Sequence, residues 1–218
     1  MKTARTDTPG PQIVLYGAGG FAREVAWLAE CAGRQVSAMI DDGTSEDGRV
    51  VNGVPVMSAG EAVRRHPDAE FIVAVGAPSA RELLADRLTA LGLRPATLVH
   101  PNVERSRWIE LGAGTVICAG SILTTNIVVH RHVQINLDCT IGHDVVMEDY
   151  VTLAPGVHVS GNVHLRRHAY IGTGAVIING DAGRPLVVGE SAVVGAGACV
   201  VRSVERGATV VGVPARAR

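Results

Sequence analysis

The sequence predicts an α/β domain of the half-Rossmann type over residues 13–98, followed by a parallel β-helix of hexapeptide repeats over residues 99–218. Two patterns and one bias lead to this division. Strands and helices alternate through the first part. An aliphatic residue recurs every six positions through the second part. The chain of 218 residues carries only 3 % aromatics against 47 % apolar residues, and 26 glycines. Its core must therefore be built from Val, Ile, Leu and Ala with many tight turns. Such a composition excludes a helical bundle packed on large rings, and it excludes disorder, which needs low hydrophobicity and high net charge. Residues 1–12, polar and rich in Thr and Pro, are expected to be flexible.

The run IVLY at positions 13–16 is a short buried strand that ends in the glycine turn GAGG. Phe21, Val25 and Leu28 then follow at helical spacing, and the helix stops at Gly33. A second strand over 35–40 ends at Asp41, Asp42 and Gly43. Beyond it the pattern predicts a helix over 59–65, a strand over 71–75 and a helix over 79–91. This alternation implies a parallel sheet with right-handed crossovers. Only half of a doubly wound dinucleotide fold is present, so a complete redox domain is excluded.

From Leu111, steps of six meet Ile117, Leu123, Val129, Ile135, Ile141, Met147, Leu153, Val159, Leu165, Ile171 and Ile177. If about 30 % of residues are of this kind, chance produces such a run on the order of once in a million. Four positions after each anchor the residue is small or β-branched, as at Cys139, Val151, Ala169 and Ala175, until Asp181 breaks the rule. The pattern resumes at Val188, Val194 and Val200, so NGDAGRPL reads as a loop expelled from the repeat. Each hexad forms one side of a triangular coil, and three hexads close a turn of 18 residues. Proteins of this repeat class are left-handed and trimeric, which sets the expectation of a left-handed homotrimer.

With 20 basic and 21 acidic side chains, the net charge of −1 offers no field for nucleic acid. Cys31, Cys118, Cys139 and Cys199 form no CxxC pair and are expected to be reduced and buried. The N-terminus lacks the apolar core of a signal peptide, and no stretch is long and apolar enough to span a membrane. A cytoplasmic protein is expected.

Gly17, Gly19 and Ala22 fit G-x-G-x-x-A between a strand and a helix, where a phosphate can approach the backbone at a helix N-terminus. Asp41 and Asp42 follow about 20 residues on, where a carboxylate can bond a ribose hydroxyl. The alternative is a turn that merely joins strand to helix. Six histidines lie in the repeat: His130, His132, His143, His158, His164 and His168. Most face outward, where polar residues are tolerated. His143 differs, because one 18-residue coil further on stands Gly161. A ring stacked beside a residue without a side chain leaves a slot with a backbone N–H inside it. Asp144 follows His143, with Asn126 and Asn162 as its coil neighbours. That arrangement suits a general base, its partner and an oxyanion donor. An ordinary surface histidine is the competing reading. Adjacent residues on an extended strand diverge, so the pattern leaves open whether Asp144 reaches His143. A zinc site, as in the gamma-class carbonic anhydrases, would need three converging histidines. His164 and His168 do not share a face of a β-helix, so no metal is expected.

The GAGGFAREV opening, VAVGAPSAR, IGHDVVMEDYVTLAPGVHVSGNV and the ending GVPARAR together resemble the sialic acid O-acetyltransferase and bacillosamine N-acetyltransferase family of sugar acyltransferases. The resemblance extends from about Ile13 to Arg218. It implies that the α/β domain holds a nucleotide sugar and that acetyl-CoA lies between neighbouring prisms of a trimer. It implies a catalytic role for His143, Asp144 and Gly161, and a substrate-binding role for Gly17, Gly19, Gly20, Phe21, Asp41, Asp42 and Gly76. Gly161, Thr152, Ala169 and Gly174 are the implied contacts to acetyl-CoA. Two departures stand out. Many members read GxxGH in the glycine turn, where this chain has Phe21. Thr152 stands where some N-acetyltransferases carry a second histidine.

The reading that follows is acetyl transfer from acetyl-CoA to an amino group of a nucleotide-linked sugar, by direct attack on the thioester. O-acetylation of a sialic acid-like hydroxyl and a non-catalytic trimer that binds nucleotide sugar are the alternatives.

Overall fold

The computed structural model of the protein describes residues 10–43 and 48–218, so most of the expected flexible segment 1–12 lies outside the described residues. The α/β domain is built on β1 (Ile13–Tyr16), whose four residues are all buried. It lies between β2 (Val36–Ile40) and β5 (Glu70–Val73), parallel to both. Ile13 and Leu15 face α1 (Gly20–Cys31), whereas Val14 and Tyr16 face α2 (Ala59–Arg65) and α3 (Pro78–Ala90). A sheet covered on both faces explains the uninterrupted apolar run. Ser58 caps α2 by accepting from the Glu61 amide, and Pro78 opens α3.

A hairpin absent from the expected elements lies at the sheet edge. Strands β3 (Val50–Val51) and β4 (Val54–Met57) are antiparallel, and β4 continues the parallel sheet beside β2. Asn52 and Gly53 form its turn with φ of 47° and 80°. An Asn-Gly pair between valines is the sequence signal for this turn, because its twist matches that of the strands. With β6 (Arg94–Pro95) the order becomes β3-β4-β2-β1-β5-β6.

The remainder is a parallel β-helix with three faces. Face I runs from Leu98–Val99 through Val116–Ile117, Gln134–Ile135, Thr152–Leu153 and Tyr170–Ile171 to Val193–Val194. Face II stacks Ile122–Leu123, Thr140–Ile141, His158–Val159 and Val176–Ile177, and face III stacks Ile127–Val129, Val146–Met147 and Val163–Leu165. Partners in the regular coils are 18 residues apart, as in Gln134 with Thr152, and in the last coil 16 apart, as in Val193 with Thr209. The six-residue anchors close each strand and fill the prism with their small partners. Between Val163 and its partner Leu186 the step is 23 residues (186 − 163), so the interruption adds five to the coil. At the far end Thr209–Val211 meets the antiparallel strand Arg216–Ala217.

Most corners turn through one residue of positive φ. Gly114, His132, Tyr150, His168 and Ser191 hold the III–I corner; Gly120, Asp138, Gly156, Gly174 and Gly197 the I–II corner; and Asn126, Asp144 and Asn162 the II–III corner. Gly adopts that conformation at low cost and Asn, Asp and His do so more often than other residues, whereas Tyr does so rarely. At the III–I corner the rings support one another. Phe71 of β5 stacks on His132 at 6.0 Å, and His132 stacks on Tyr150 at 5.1 Å. Gly114 completes the column, because a Cβ there would meet His132 Nδ1 at 2.2 Å.

Burial pushes the His132 imidazole down to about 4, so it is neutral in the fold near pH 7, and burial lowers His168 as well. The unfolded chain takes up these protons first, at the ordinary value near 6.5. Stability is therefore full above that pH and falls as pH drops from about 6.5 to about 4. Urea midpoints measured across that range should decline for the wild type and decline less for His132→Asn, which keeps a residue suited to positive φ.

Candidate active site

The turn from β1 into α1 presents bare backbone. Gly17 has φ of 118°, and a Cβ on it would lie 3.0 Å from the Ala74 carbonyl oxygen, so this turn and the end of β5 lie side by side. Gly19 and Gly20 are exposed, with no side-chain cap on α1 and no acidic residue in its first turn. The first amides of α1 are thus free for an anion. Phe21 packs against the apolar cluster beneath α1, so the turn carries no polar side chain at that position.

The two acidic residues after β2 are held by the protein itself. Asp42 accepts from the Ala59 amide, Tyr16 Oη and Arg87 Nη1. Burial alone would raise the Asp42 carboxyl, but the Tyr16 and Ala59 hydrogen bonds and the Arg87 charge outweigh it and hold it below the usual range. Burial, then Asp42, pushes the Tyr16 phenol up to about 12, so it remains a donor. Asp41 accepts from the Gly43 amide and pairs with Arg49. The half-exposed Arg87 guanidinium stands beside these carboxylates. Arg87 carries no sequence signal, because it is one of several charges on the outer face of α3.

At the II–III corner His143 Nδ1 lies 2.8 Å from Asp144 Oδ2, with both side chains about half exposed. The contact forms inside one chain because Asp144 turns at φ of 57°, which breaks the divergence of an extended strand. An ionised carboxylate only accepts, so Nδ1 donates and the Nε2 lone pair points outward. A Cβ on Gly161 would lie 2.5 Å from His143 Nε2, so the ring stands against Gly161 at the 18-residue step. The Gly161 amide donates to no acceptor among the described residues. Gly142 keeps the other side open, since a Cβ there would meet the Gly161 nitrogen at 2.7 Å. Asn126 and Asn162 share the corner with Asp144, yet no hydrogen bond links the three side chains.

Three expected acetyl-CoA contacts lie elsewhere in the chain. Ala169 turns its methyl into the prism, and its amide and carbonyl bond to Arg166 and Thr152. Thr152 is buried on face I, where its hydroxyl accepts from Arg81 and donates to the Gly76 carbonyl. Gly174 turns the I–II corner, one edge of the prism away from His143. Among the cysteines, Cys31 is exposed, contrary to expectation. Cys139 is enclosed, and burial pushes its thiol up to about 11, so it stays protonated and unreactive. Among the described residues no three metal-ligating side chains converge, and no helix is long and apolar enough to cross a membrane.

Residues 12–88 match the PglD N-terminal domain. Over 209 residues, 93 % of this chain and 94 % of the relative, the sequence is 34 % identical to GDP-perosamine N-acetyltransferase of Escherichia coli O157:H7. The chain belongs to the nucleotide-sugar N-acetyltransferase family. Among solved members, WeeI from Acinetobacter baumannii AYE superposes with a TM-score of 0.88 at 38 % identity, covering 95 % of this chain and 99 % of that one. PerB from Caulobacter crescentus, solved with CoA and GDP-perosamine, gives a TM-score of 0.87 at 26 % identity, covering 96 % and 98 %. For an acetyltransferase of this family, Gly161→Ala pushes a methyl into the His143 ring without straining the backbone. Acetyl transfer should fall about a hundredfold or more, with the circular dichroism spectrum and melting temperature nearly unchanged.

Proposed function

We propose that this chain transfers the acetyl group of acetyl-CoA to an amino group on a nucleotide-linked sugar. The observation that carries the reading is the His143–Asp144 pair standing over the bare Gly161 amide. The sugar amine attacks the thioester carbonyl, and His143 Nε2 takes the proton it sheds. Asp144 holds the imidazole in the donating tautomer and supports its positive charge. The Gly161 amide bonds the developing oxyanion, and collapse of the intermediate expels the CoA thiolate, which takes the proton back from His143. No acyl-enzyme is needed, since the thioester is already activated and Cys139 is enclosed. The glycine turn and the free amides of α1 hold the diphosphate, with Asp41, Asp42 and Arg87 at the nucleoside.

One copy cannot complete this site. The α/β domain covers face I, where Leu98, Val116, Gln134 and Thr152 are all 2 % exposed or less. His143 stands at the corner shared by the other two faces, opposite that domain. A sugar held by the glycine turn therefore meets the His143 of a neighbouring copy in a left-handed homotrimer. Face II supplies the contact surface that supports this assembly: Ile122, Val176, Ile178 and Val201 are each 38–40 % exposed there. Apolar patches of this kind mark interfaces.

Thiol release from acetyl-CoA with a panel of amino-sugar nucleotides tests the chemistry. His143→Ala should lower kcat about 10²- to 10⁴-fold, and a loss of less than tenfold would remove the general base. The solution mass should be three times 22.7 kDa, and Ile178→Asp should reduce it. Inactive His143→Ala mixed with inactive Gly19→Glu should regain activity in hybrid trimers, because some sites then combine an intact turn with an intact histidine.

A further inference from the structure

Arg81, in the second turn of α3, is a cation only 1 % exposed. Its guanidinium makes seven hydrogen bonds. Five reach the β-helix: Nε to His132 O, Nη1 to Gln134 Oε1, and Nη2 to Tyr150 O, Val151 O and Thr152 Oγ1. The other two run from Nη1 to the carbonyls of Val75 and Gly76, in the exposed turn between β5 and α3. Thr152 Oγ1 donates to the same Gly76 carbonyl, and Gln134 Nε2 donates to Val73 O. Residues 132–134 and 150–152 belong to successive coils, so a single side chain fastens this turn to two rungs of the prism.

Every Arg81 partner is a neutral oxygen, and no carboxylate pairs with it among the described residues. Burial lowers the guanidinium to about 9, so it is still charged at neutral pH. An unbalanced buried charge is costly and survives only where its surroundings compensate it. The turn it holds lies beside the glycine turn, through the Gly17–Ala74 approach.

We propose that Arg81 is a positioning residue for the nucleotide-sugar site, fixing the Gly76 turn on the β-helix and lending it a positive charge that the diphosphate of the substrate balances. The inference rests on the proposed function for its ligand, and on the hydrogen bonds alone for the tie between turn and prism. Arg81 has no N–H left for substrate, so it acts through the turn and through its field.

Two readouts separate these parts. Amide hydrogen exchange over residues 74–80 needs no substrate. It should accelerate in Thr152→Val and Arg81→Gln while the β-helix amides stay protected, with Arg81→Lys intermediate. Calorimetry with GDP, UDP and CoA supplies the second. Thr152→Val should weaken nucleoside diphosphate binding and raise the nucleotide-sugar KM about fivefold, the effect of one hydrogen bond, with the acetyl-CoA KM unchanged. Arg81→Gln should weaken diphosphate binding more than tenfold, and Arg81→Lys should recover part of that loss. If Arg81→Gln does not fold, Thr152→Val and Arg81→Lys carry the test. Unchanged exchange at 74–80 in the folded variants, or wild-type diphosphate affinity in them, overturns the inference and leaves the proposed function intact. A wild type that binds none of the nucleoside diphosphates overturns the proposed function and the charge-balancing role, while the exchange data still decide the tie.

Discussion

A parallel β-helix satisfies its backbone only when every coil returns its strands to register, because each strand finds its acceptors on the next rung. Eighteen residues in each regular coil and a positive φ at most of the corners meet that condition here. Closure at fixed length is what stacks unrelated positions: Gly161 beneath His143, Tyr150 upon His132, Thr152 beside Gln134. The His143 corner and the face beneath the α/β domain are both columns of that lattice. A coil of a different length would separate them, and the one long coil loops its five extra residues outside the ladder, between Ile177 and Leu186.

Much of this was legible in the residues, because a strict period leaves a strict trace. The anchors, their small partners, the expelled loop and the pairing of 143 with 161 all follow from counting by six and by eighteen. The same count already places Ala169 inward, four positions after Leu165, as the structure does. The Asn52–Gly53 hairpin also carried its own signal. It is short, and its valines do not stand out among so many others.

What could not be read was which face of the prism the α/β domain covers. Nothing periodic marks Arg81, and its neutral partners are mostly backbone carbonyls, which every sequence possesses. The reach of Asp144 to His143 was hidden for a related reason. It depends on a backbone angle that Asp tolerates but does not announce. The burial of Thr152 followed only once its face had a cover.

The antiparallel strand Arg216–Ala217 covers the last rung of face I. A stack of identical rungs has no intrinsic stopping point, and its last coil would offer a row of unpaired amides and carbonyls to the next chain. By reversing direction, the C-terminal residues present a strand that cannot continue the parallel ladder. Arg216 and Ala217 thereby pair, on face I, with the edge residues Val210 and Val211 that a further parallel rung would otherwise occupy.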